Sequence, residues 1–503
     1  MTDSRTPVLV GAGQVSERLD DPGYRRRSPA DLAADAAREA LTDAGVDASA
    51  IDTVAAVPQF EISLPWAVPL LGCSDNFPRS VARRLGADPR RAVLEVGGGQ
   101  APQHLVNEFA ATIAAGDAEV VLLVGAEAIS TITRQAAAPD PPDLRESPGG
   151  SLEARGPGLE GIVSMHHVAH GLSDPPTQYA LIENARRARL KMSRDEYAVA
   201  IGELFEPFTT VAAADPHAAA PVFRDAAALV TPSAANRPIA DPYTRYVVAR
   251  DKVNQGAAVL LMSVGAARRR GVPEDRWVYL AGHADLRERT MLERADYGSS
   301  PAAARAARHA LEVAGITAEE LTSLDLYSCF AAPVFLVAAA LGIAPDDPRG
   351  LTVTGGLPFF GGPGNNYSMH AIASTLDRVR GRPGTYGFVG ANGGIMSKHS
   401  TGVYTTVPYE WKPSASARIQ AELDAVPAPA EAVSASGPAV IETYTVKHGR
   451  DGGREGIVLG RLDDGRPFVA RADAILDLLT EGEPIGERVI ARSTAAGNVV
   501  VAR

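Results

Sequence analysis

The stretch VLEVGGGQAPQHLVNEFAATIAAGDAEVVLLVGAE, residues 93–127, predicts a strand, a glycine turn, a helix and a second strand. The first apolar run stops at Gly97, and apolar residues between Leu105 and Ile113 then recur at helical spacing. Gly116 is a residue type that ends helices. The unbroken apolar run 120–124 is typical of a strand that is buried on both faces of its sheet. The stretch therefore indicates an α/β fold.

Position 99 lies where the predicted strand turns into the predicted helix. Backbone N–H groups at a helix N-terminus favour negative charge, so a nucleophilic side chain in such a turn would be activated. This chain has glycine at position 99. The turn thus predicts a place for chemistry but supplies no reactive side chain to perform it.

A second copy of the same elements follows about 270 residues later. Ser28-Pro29 and Ser300-Pro301 each pair an N-cap serine with a proline at the first helical position. Predicted strands 351–354 and 386–389, each followed by glycine, correspond to the strands of the first stretch. Two copies of a strand–helix unit indicate a duplicated α/β architecture.

Residues 130–250 interrupt the first copy before its last strand, 254–262. The insertion begins with Pro- and Gly-rich sequence and then predicts helices at 179–192 and 194–204. Long connections inside compact domains are usually functional, so we expect a lid or a binding subdomain.

The character of the chain changes after residue 408. Residues 413–438 are rich in Ala, Pro and Ser and predict a linker. Residues 439–503 contain short strand-like runs with Asp-Gly turn signals between them, which favours a small β-barrel of oligonucleotide/oligosaccharide-binding shape. The predicted strands are 440–447, 456–461, 467–470, 488–491 and 498–502, with a short helix at 474–479.

The composition and charge of the chain disfavour several classes of protein. The chain has 503 residues, a net charge of −11 and 45% hydrophobic residues. The negative charge disfavours a nucleic-acid partner. The apolar runs are too short for a membrane span, and two cysteines imply no disulfide framework. We expect a cytoplasmic protein.

Residues 5–410 resemble the core of the thiolase superfamily. The resemblance depends on Ile113-x-x-Gly116-Asp117, on the strand ending Gly125-Ala126-Glu127 and on Asn254-Gln255-Gly256-Ala257-Ala258. The sequence is most similar to the sterol-carrier-linked thiolase branch and its thiolase-like protein type 1 relatives, which carry an additional C-terminal domain. The resemblance implies two βαβαβαββ halves, residues 1–265 and 272–410, in a five-layered αβαβα arrangement followed by the barrel.

The resemblance also implies which positions would hold the reactive groups. The family's nucleophilic cysteine falls on Gly99, its histidine on Gly362 and its second cysteine on Ala391. The branch's His-Asp-Cys-Phe motif falls on Tyr327 and Ser328, followed by Cys329-Phe330. A thiolase needs these groups together. We therefore expect no standard thiolysis, although the family's ancestry is that of acetyl-CoA acetyltransferases in lipid metabolism.

Polar residues remain on the corresponding loops and are candidates for a substrate pocket. They are Gln100, Tyr327, Ser328, Cys329, Asn365, Asn366, His370, Asn392, Gly393 and His399. Candidates for contact with CoA are Asp251, Lys252, His166 and His170. Cys329 could replace the lost nucleophile, but a buried structural thiol is the favoured interpretation. His166, His167 and His170 could bind a metal, yet no acidic or cysteine partner lies at ligand spacing, so no metal is predicted.

Two functions stay open at this point. The first is an acyl-CoA-handling enzyme of altered chemistry, and the second is a non-catalytic acyl-CoA-binding subunit or scaffold of a lipid-metabolism complex. Both predict acyl-CoA as the ligand, without a further cofactor. A protein partner and a homodimer are both compatible with the resemblance.

Overall fold

A computed structural model describes residues 3–64, 66–158 and 164–503. The strands are β1 (Pro7–Ser16), β2 (Thr53–Ala56), β3 (Arg91–Leu94), β4 (Val120–Ala128), β5 (Glu153–Ala154), β6 (Pro238–Ala240), β7 (Tyr243–Thr244), β8 (Asn254–Ser263), β9 (Val278–Arg287), β10 (Leu321–Leu326), β11 (Tyr386–Gly393), β12 (Lys398–Thr405), β13 (Gly437–His448), β14 (Arg454–Leu462), β15 (Pro467–Arg471), β16 (Arg488–Thr494) and β17 (Gly497–Ala502).

The helices are α1 (Pro29–Ala44), α2 (Phe77–Leu85), α3 (Ala101–Ala115), α4 (Ile129–Ala136), α5 (Met165–Ala169), α6 (Pro175–Arg189), α7 (Arg194–Ala214), α8 (Ala226–Val230), α9 (Val264–Arg269), α10 (Pro301–Ala314), α11 (Ala331–Leu341), α12 (Tyr367–Gly381), α13 (Ser416–Asp424) and α14 (Leu476–Glu481). Within the described residues, no helix has both the length and the apolar character that crossing a membrane requires.

The duplicated architecture is confirmed. The order β3-β2-β4-β8-β1 forms the first half of a mixed sheet, and β9-β12-β11-β10 forms the second half. A short antiparallel contact between β1 and β9 joins the halves, with Val8 opposite Tyr279 and Leu9 opposite Val278. Helices α3 and α12 pack against each other between the halves, whereas α1 and α10 cover the outer faces.

The prediction of a strand at residues 351–354 is wrong. The buried carboxylate of Asp325 takes the hydrogen bonds that a sheet neighbour would need, because its Oδ2 accepts from the amides of Val353 (3.0 Å) and Thr354 (3.3 Å). The Thr352 hydroxyl also donates to Oδ2, at 3.0 Å, and the Tyr367 hydroxyl donates to Oδ1, at 3.0 Å. Residues 351–354 therefore form a loop around one carboxylate.

The outer edge of β3 is covered by this chain's own insertion. Residues 153–154 form β5, which pairs in parallel with β3. The next residue, Arg155, holds this segment in place because its guanidinium donates to Glu95 and Glu108, both at 2.5 Å. Any second copy that approached this edge would first meet β5.

The insertion forms the two predicted helices with shifted ends. They are α6 and α7, and α7 continues ten residues beyond the predicted end at 204. Insertion strand β6 pairs with β13, where Ala240 lies opposite Lys447. The insertion thus binds the C-terminal domain as well as the core.

The C-terminal domain is a closed barrel in the order β13-β14-β15-β17-β16, with β16 returning to β13. All five predicted strands are present, and the predicted short helix is α14. The segment predicted as a linker contains helix α13, whose Ile419 is buried against Ala302 and Ala306. Ile457 and Leu459 of the barrel belong to the same hydrophobic cluster as Leu181 of the insertion.

An ion pair at this contact provides the first prediction. Arg187 is 2% exposed and makes two hydrogen bonds to Glu483 of the barrel, at 2.6 and 2.9 Å. Arg187→Ala should lower the free energy of unfolding by about 2–3 kcal/mol, since it removes a buried partner. The matched control is Arg189→Ala, where the side chain is 45% exposed and pairs with Asp296 at the surface, so a change below about 0.5 kcal/mol is expected. Equal losses in urea unfolding would contradict this view of the interface.

Candidate functional site

The glycine turn at 97–100 is fixed by residues of the second half. Asn365 accepts a hydrogen bond from the Gly98 amide at 2.8 Å, and the Ser368 hydroxyl donates to the Gly99 carbonyl at 2.6 Å. Helix α3 begins directly after the turn, at Ala101. The turn therefore lies where the two halves meet, as the sequence predicts.

The side chain of Tyr327 fills the space above position 99. A Cβ atom on Gly99 would overlap with the hydroxyl and ring of Tyr327, and it would lie 2.6 Å from the Asn392 carbonyl oxygen. Tyr327 is held by its backbone amide, which donates to the Gly390 carbonyl at 3.0 Å. Its ring packs edge-to-face on Tyr367, with centroids 5.5 Å apart. No side chain fits at position 99 while Tyr327 stays in place.

Gln100 closes the other side of the turn. A Cβ on Gly98 or on Gly393 would overlap with the Gln100 amide group, and Gly98 has φ of +142°. The Gln100 Oε1 atom is buried without a hydrogen-bond partner among the described residues. The glycine turns of the two halves thus pack closely around one amide.

The space that remains is small. A cavity of about 10 Å³ lies between Tyr327, Asn392 and His399. This volume is near the minimum that holds one water molecule. Three of the predicted pocket residues therefore do line a common space, but an acyl chain does not fit inside it.

Cys329 is a buried, protonated thiol. Burial raises its pKa to about 12. The Asn392 Nδ2 atom lies 4.0 Å from the Cys329 Sγ atom and donates to the Tyr179 hydroxyl at 2.9 Å. A thiol with this pKa is not ionised at neutral pH, and the thiolate is the nucleophilic form.

Several other predicted pocket residues make structural hydrogen bonds. Asn366 donates to the Gly125 carbonyl at 2.7 Å, and the Ser328 hydroxyl accepts from the Leu357 amide at 3.2 Å. His370 lies 2.8 Å from Gln14, and burial lowers the pKa of His370 well below its ordinary value. Burial likewise lowers the pKa of His399 to about 4. Both histidines are therefore neutral at pH 7.

The resemblance assigned two further reactive groups to positions 362 and 391, which carry glycine and alanine. Gly362 donates its amide to the Arg250 carbonyl at 2.8 Å, and a Cβ there would lie 3.3 Å from the end of the Leu357 side chain, a tight contact that a small shift of that side chain relieves. Ala391 is buried in β11 opposite Ser400 of β12. Position 362 thus differs from position 99, because a side chain would fit there.

His166 and His170 face the C-terminal domain. His170 Nε2 accepts from the Asn498 amide at 2.7 Å, and His170 Nδ1 lies 2.7 Å from the His166 carbonyl. His166 and His167 each lie 3.3 Å from Glu431, an acidic partner that sequence spacing did not reveal. These histidines are not grouped with Asp251 and Lys252, whose side chains are exposed.

One group of acidic and histidine side chains in the described residues is close enough to hold a metal: Glu95, His104 and Glu108. Arg155 already binds both carboxylates. Burial lowers the pKa of His104, but the carboxylates of Asp285, Glu95 and Glu108 together outweigh that effect and raise it to about 9. The site is therefore an ion-pair network with its own cation.

Sequence reasoning missed a cluster of three arginines, Arg224, Arg245 and Arg250. Burial, together with the charges of Arg245 and Arg224, lowers the pKa of Arg250. The Arg250 Nε atom is buried without a hydrogen-bond partner, and no ion pair to a carboxylate is formed by the three guanidinium groups in the part of the chain that the structure describes. The three arginines are irregularly spaced along the insertion, so the sequence alone did not indicate that they lie close together.

The backbone that carries Arg250 lies beside the crevice between the halves. The Arg250 carbonyl accepts from Gly362, and the neighbouring Ala249 amide donates to the Cys329 carbonyl at 3.0 Å. Unpaired positive charge at this place favours an anionic ligand.

Comparison with known proteins supports the resemblance to the thiolase superfamily that the sequence indicates. The crystal structure of a monomeric SCP2-thiolase-like protein type 1 from Mycobacterium smegmatis is 47% identical, covers 100% of both chains and has a TM-score of 0.86. The chain belongs to the SCP2-thiolase-like protein type 1 family. Residues 418–496 of this type 1 protein also match the family described as the thiolase-like protein type 1 additional C-terminal domain.

More distant structures share the thiolase fold with this type 1 protein. Acetyl-CoA acetyltransferase from Syntrophomonas wolfei is 16% identical over 80% of this chain and 99% of its own, with a TM-score of 0.56. Human mitochondrial 3-ketoacyl-CoA thiolase in complex with CoA is 18% identical over 80% and 99%, with a TM-score of 0.54. No curated protein matched the sequence.

A buried carboxyl group of the type 1 protein lies near Cys329. Burial raises the pKa of Glu183 on α6 to about 8, from an ordinary value of 4.5. Neither of its oxygens has a hydrogen-bond partner within the described ranges. The folded protein therefore holds a proton on Glu183 that the unfolded chain releases at a lower pH.

This group predicts a pH dependence of stability. The contribution of protonated Glu183 is fully present below pH 4.5 and is lost as the pH rises through 8, by at most about 1.4 kcal/mol per pH unit. Glu183→Gln stays neutral, so its stability relative to the wild type should increase between pH 5 and pH 8. Glu203→Gln, at an exposed position of α7, is the control. Parallel pH profiles of unfolding for all three proteins would contradict the prediction.

A double-mutant cycle tests the filling of position 99. Gly99→Ala should cost about 1–3 kcal/mol of stability, because the added carbon overlaps with Tyr327. Tyr327→Leu removes most of that overlap, so the double variant should be more stable than the sum of the single effects predicts. Rescue should be partial, since the Asn392 carbonyl stays close. Gly362→Ala, where the added carbon meets the movable end of the Leu357 side chain and not Tyr327, should show no coupling to Tyr327→Leu in the same denaturation assay.

Proposed function

We propose that this protein is a non-catalytic member of the thiolase superfamily that binds acyl-CoA and leaves the thioester intact. One observation carries the proposal: the Tyr327 side chain fills the space that a nucleophile at position 99 would need. The site therefore lacks both a nucleophilic side chain at position 99 and the space that such a side chain would need.

The chemistry of thiolysis supports the same proposal. The reaction needs a thiolate, a base that activates it and a group that moves the substrate α-proton, and such groups act as a unit. The corresponding positions are Gly99, Gly362 and Ala391. The pKa of about 12 for Cys329, which is a consequence of its burial, disfavours a replacement nucleophile.

The arginine cluster supports binding of a CoA ligand. Guanidinium groups bind phosphate well because they combine charge with several directed N–H donors. Burial lowers the pKa of Arg250. Arg224 and Arg245 lie close enough to Arg250 for their charges to lower its pKa further, although Asp251 opposes that effect. None of the three arginines forms a close ion pair with a carboxylate of the described residues, and exposed Lys252 follows Arg250 by two residues. A thiolase-fold structure with CoA bound is known for the human mitochondrial enzyme. In our proposal the phosphates of CoA occupy this cluster.

The proposed role follows from binding without turnover. The protein would hold acyl-CoA for an enzyme of lipid metabolism, either as a carrier or as a subunit of a complex in the cytoplasm. The crevice candidates Asn392 and Gly393 would then contribute to the shape of the site and not to bond cleavage.

Calorimetry with CoA tests the binding half of the proposal. We expect micromolar affinity, equivalent to roughly −8 kcal/mol. Arg250→Gln should weaken binding about tenfold or more, because it removes one charge-assisted contact. The control, Arg418→Gln, changes an exposed arginine of α13 and should bind as the wild type does.

A thiolysis assay tests the other half. With acetoacetyl-CoA and free CoA, the unmodified protein should show no turnover above background, whereas a true thiolase in the same buffer should. Absence of CoA binding would contradict the ligand, and sustained turnover would contradict the assignment as non-catalytic.

A further inference from the structure

The connection between β2 and α2 exposes an unusual amount of apolar surface. Its described residues include Trp66 at 65%, Val68 at 86% and Leu70 at 68% exposure, and Phe60 and Leu64 are also exposed. We refer to the described residues between 60 and 70 as the apolar loop. Contiguous exposed apolar residues of this kind mark binding surfaces more often than free surface.

The base of the apolar loop is anchored in the crevice between the halves. The Phe60 amide donates to buried Glu127 at 2.6 Å, and Ser63 accepts from Asn365 at 2.7 Å. A Cβ on Gly364 would lie 2.9 Å from Phe60. The loop is therefore continuous with the turn that presents Gly98 and Gly99.

The backbone of Arg250 contacts the same glycine-rich segment from another direction. The Arg250 carbonyl accepts from Gly362, two residues before Gly364. The backbone that carries Arg250 and the base of the apolar loop thus meet at one short segment, residues 361–365. A ligand with an anionic head and an apolar tail matches this arrangement.

An open groove continues along the outer part of the loop. It has a volume of about 520 Å³ and is lined by Val68, Leu70 and Leu71 on one side and by Pro141 and Pro142 on the other. This volume lies within the range of small-molecule sites. The cavity between Tyr327, Asn392 and His399 holds only about 10 Å³, so an acyl chain does not fit there.

We infer that the apolar loop and its groove bind the acyl chain of a long-chain acyl-CoA whose phosphates lie on the arginine cluster. The inference rests on the proposed function and adds the class of acyl group and its place. In this arrangement the acyl chain of the ligand lies on the outside of the protein and does not pass through the closed interior. A membrane surface is a different occupant, which is disfavoured because Glu61 lies beside the groove and the net charge is −11, whereas Asp143 and Arg145 of the groove form an ion pair.

Calorimetry with CoA, acetyl-CoA and palmitoyl-CoA, below the concentration at which the last forms micelles, tests the inference. Palmitoyl-CoA should bind about 10- to 100-fold more tightly than acetyl-CoA, since several methylene groups leave water. The double change Val68→Ser with Leu70→Ser should remove most of that gain and leave the affinity for CoA unchanged. The control is Val199→Ser, at another exposed valine, which lies on α7.

Tryptophan fluorescence gives an independent readout. The chain has three tryptophans; Trp277 is buried and Trp411 is half-buried, so Trp66 is the exposed one. Palmitoyl-CoA should shift the emission to shorter wavelength, acetyl-CoA should not, and Trp66→Phe should abolish the shift.

The outcomes separate the two proposals. If CoA binds but affinity does not depend on chain length, the inference is wrong and the proposed function stands. If none of the three ligands binds, both are wrong. A Trp66 shift produced by phosphatidylcholine–phosphatidylglycerol vesicles without any acyl-CoA would overturn the inference in favour of a lipid surface.

Discussion

The site depends on the close contact between Tyr327 of the second half and the glycine turn at Gly99 of the first. Because the tyrosine ring lies where a side chain at position 99 would begin, only glycine fits there. The contact also joins the halves, together with the hydrogen bond that the Gly98 amide donates to Asn365 and the one that Ser368 donates to the Gly99 carbonyl. The turn lies at a helix N-terminus, where a nucleophile would be activated. In this protein the turn is instead a packed interface between the halves.

The features that local sequence determines could be predicted well. The apolar run 120–124 gave a fully buried strand, β4, and the serine-proline pairs gave helices α1 and α10 with the expected N-caps. Glycines at 45 and 315 end those helices in left-handed conformation, where glycine costs least. These signals depend on residues within one or two turns of each other, so a single sequence contains them.

The parts that could not be predicted depend on contacts between distant residues. The loop at 351–354 forms because Asp325, more than 25 residues earlier, takes its amides. Glu431 reaches His167 across 264 residues, and Tyr327 reaches Gly99 across a similar span. The sequence does show a small residue at 99 and a large one at 327. It gives no distance between them, so their complementarity appears only in the folded structure.

In our proposal, this type 1 thiolase-like protein holds its ligand by an anionic head while Tyr327 keeps the interior closed. A crystal structure of the protein with palmitoyl-CoA tests this most directly. We predict phosphates within hydrogen-bond distance of Arg224, Arg245 or Arg250, and a Tyr327 ring still packed on Gly99. A ligand whose thioester lies at Gly99, with Tyr327 rotated away from the turn, would contradict the account.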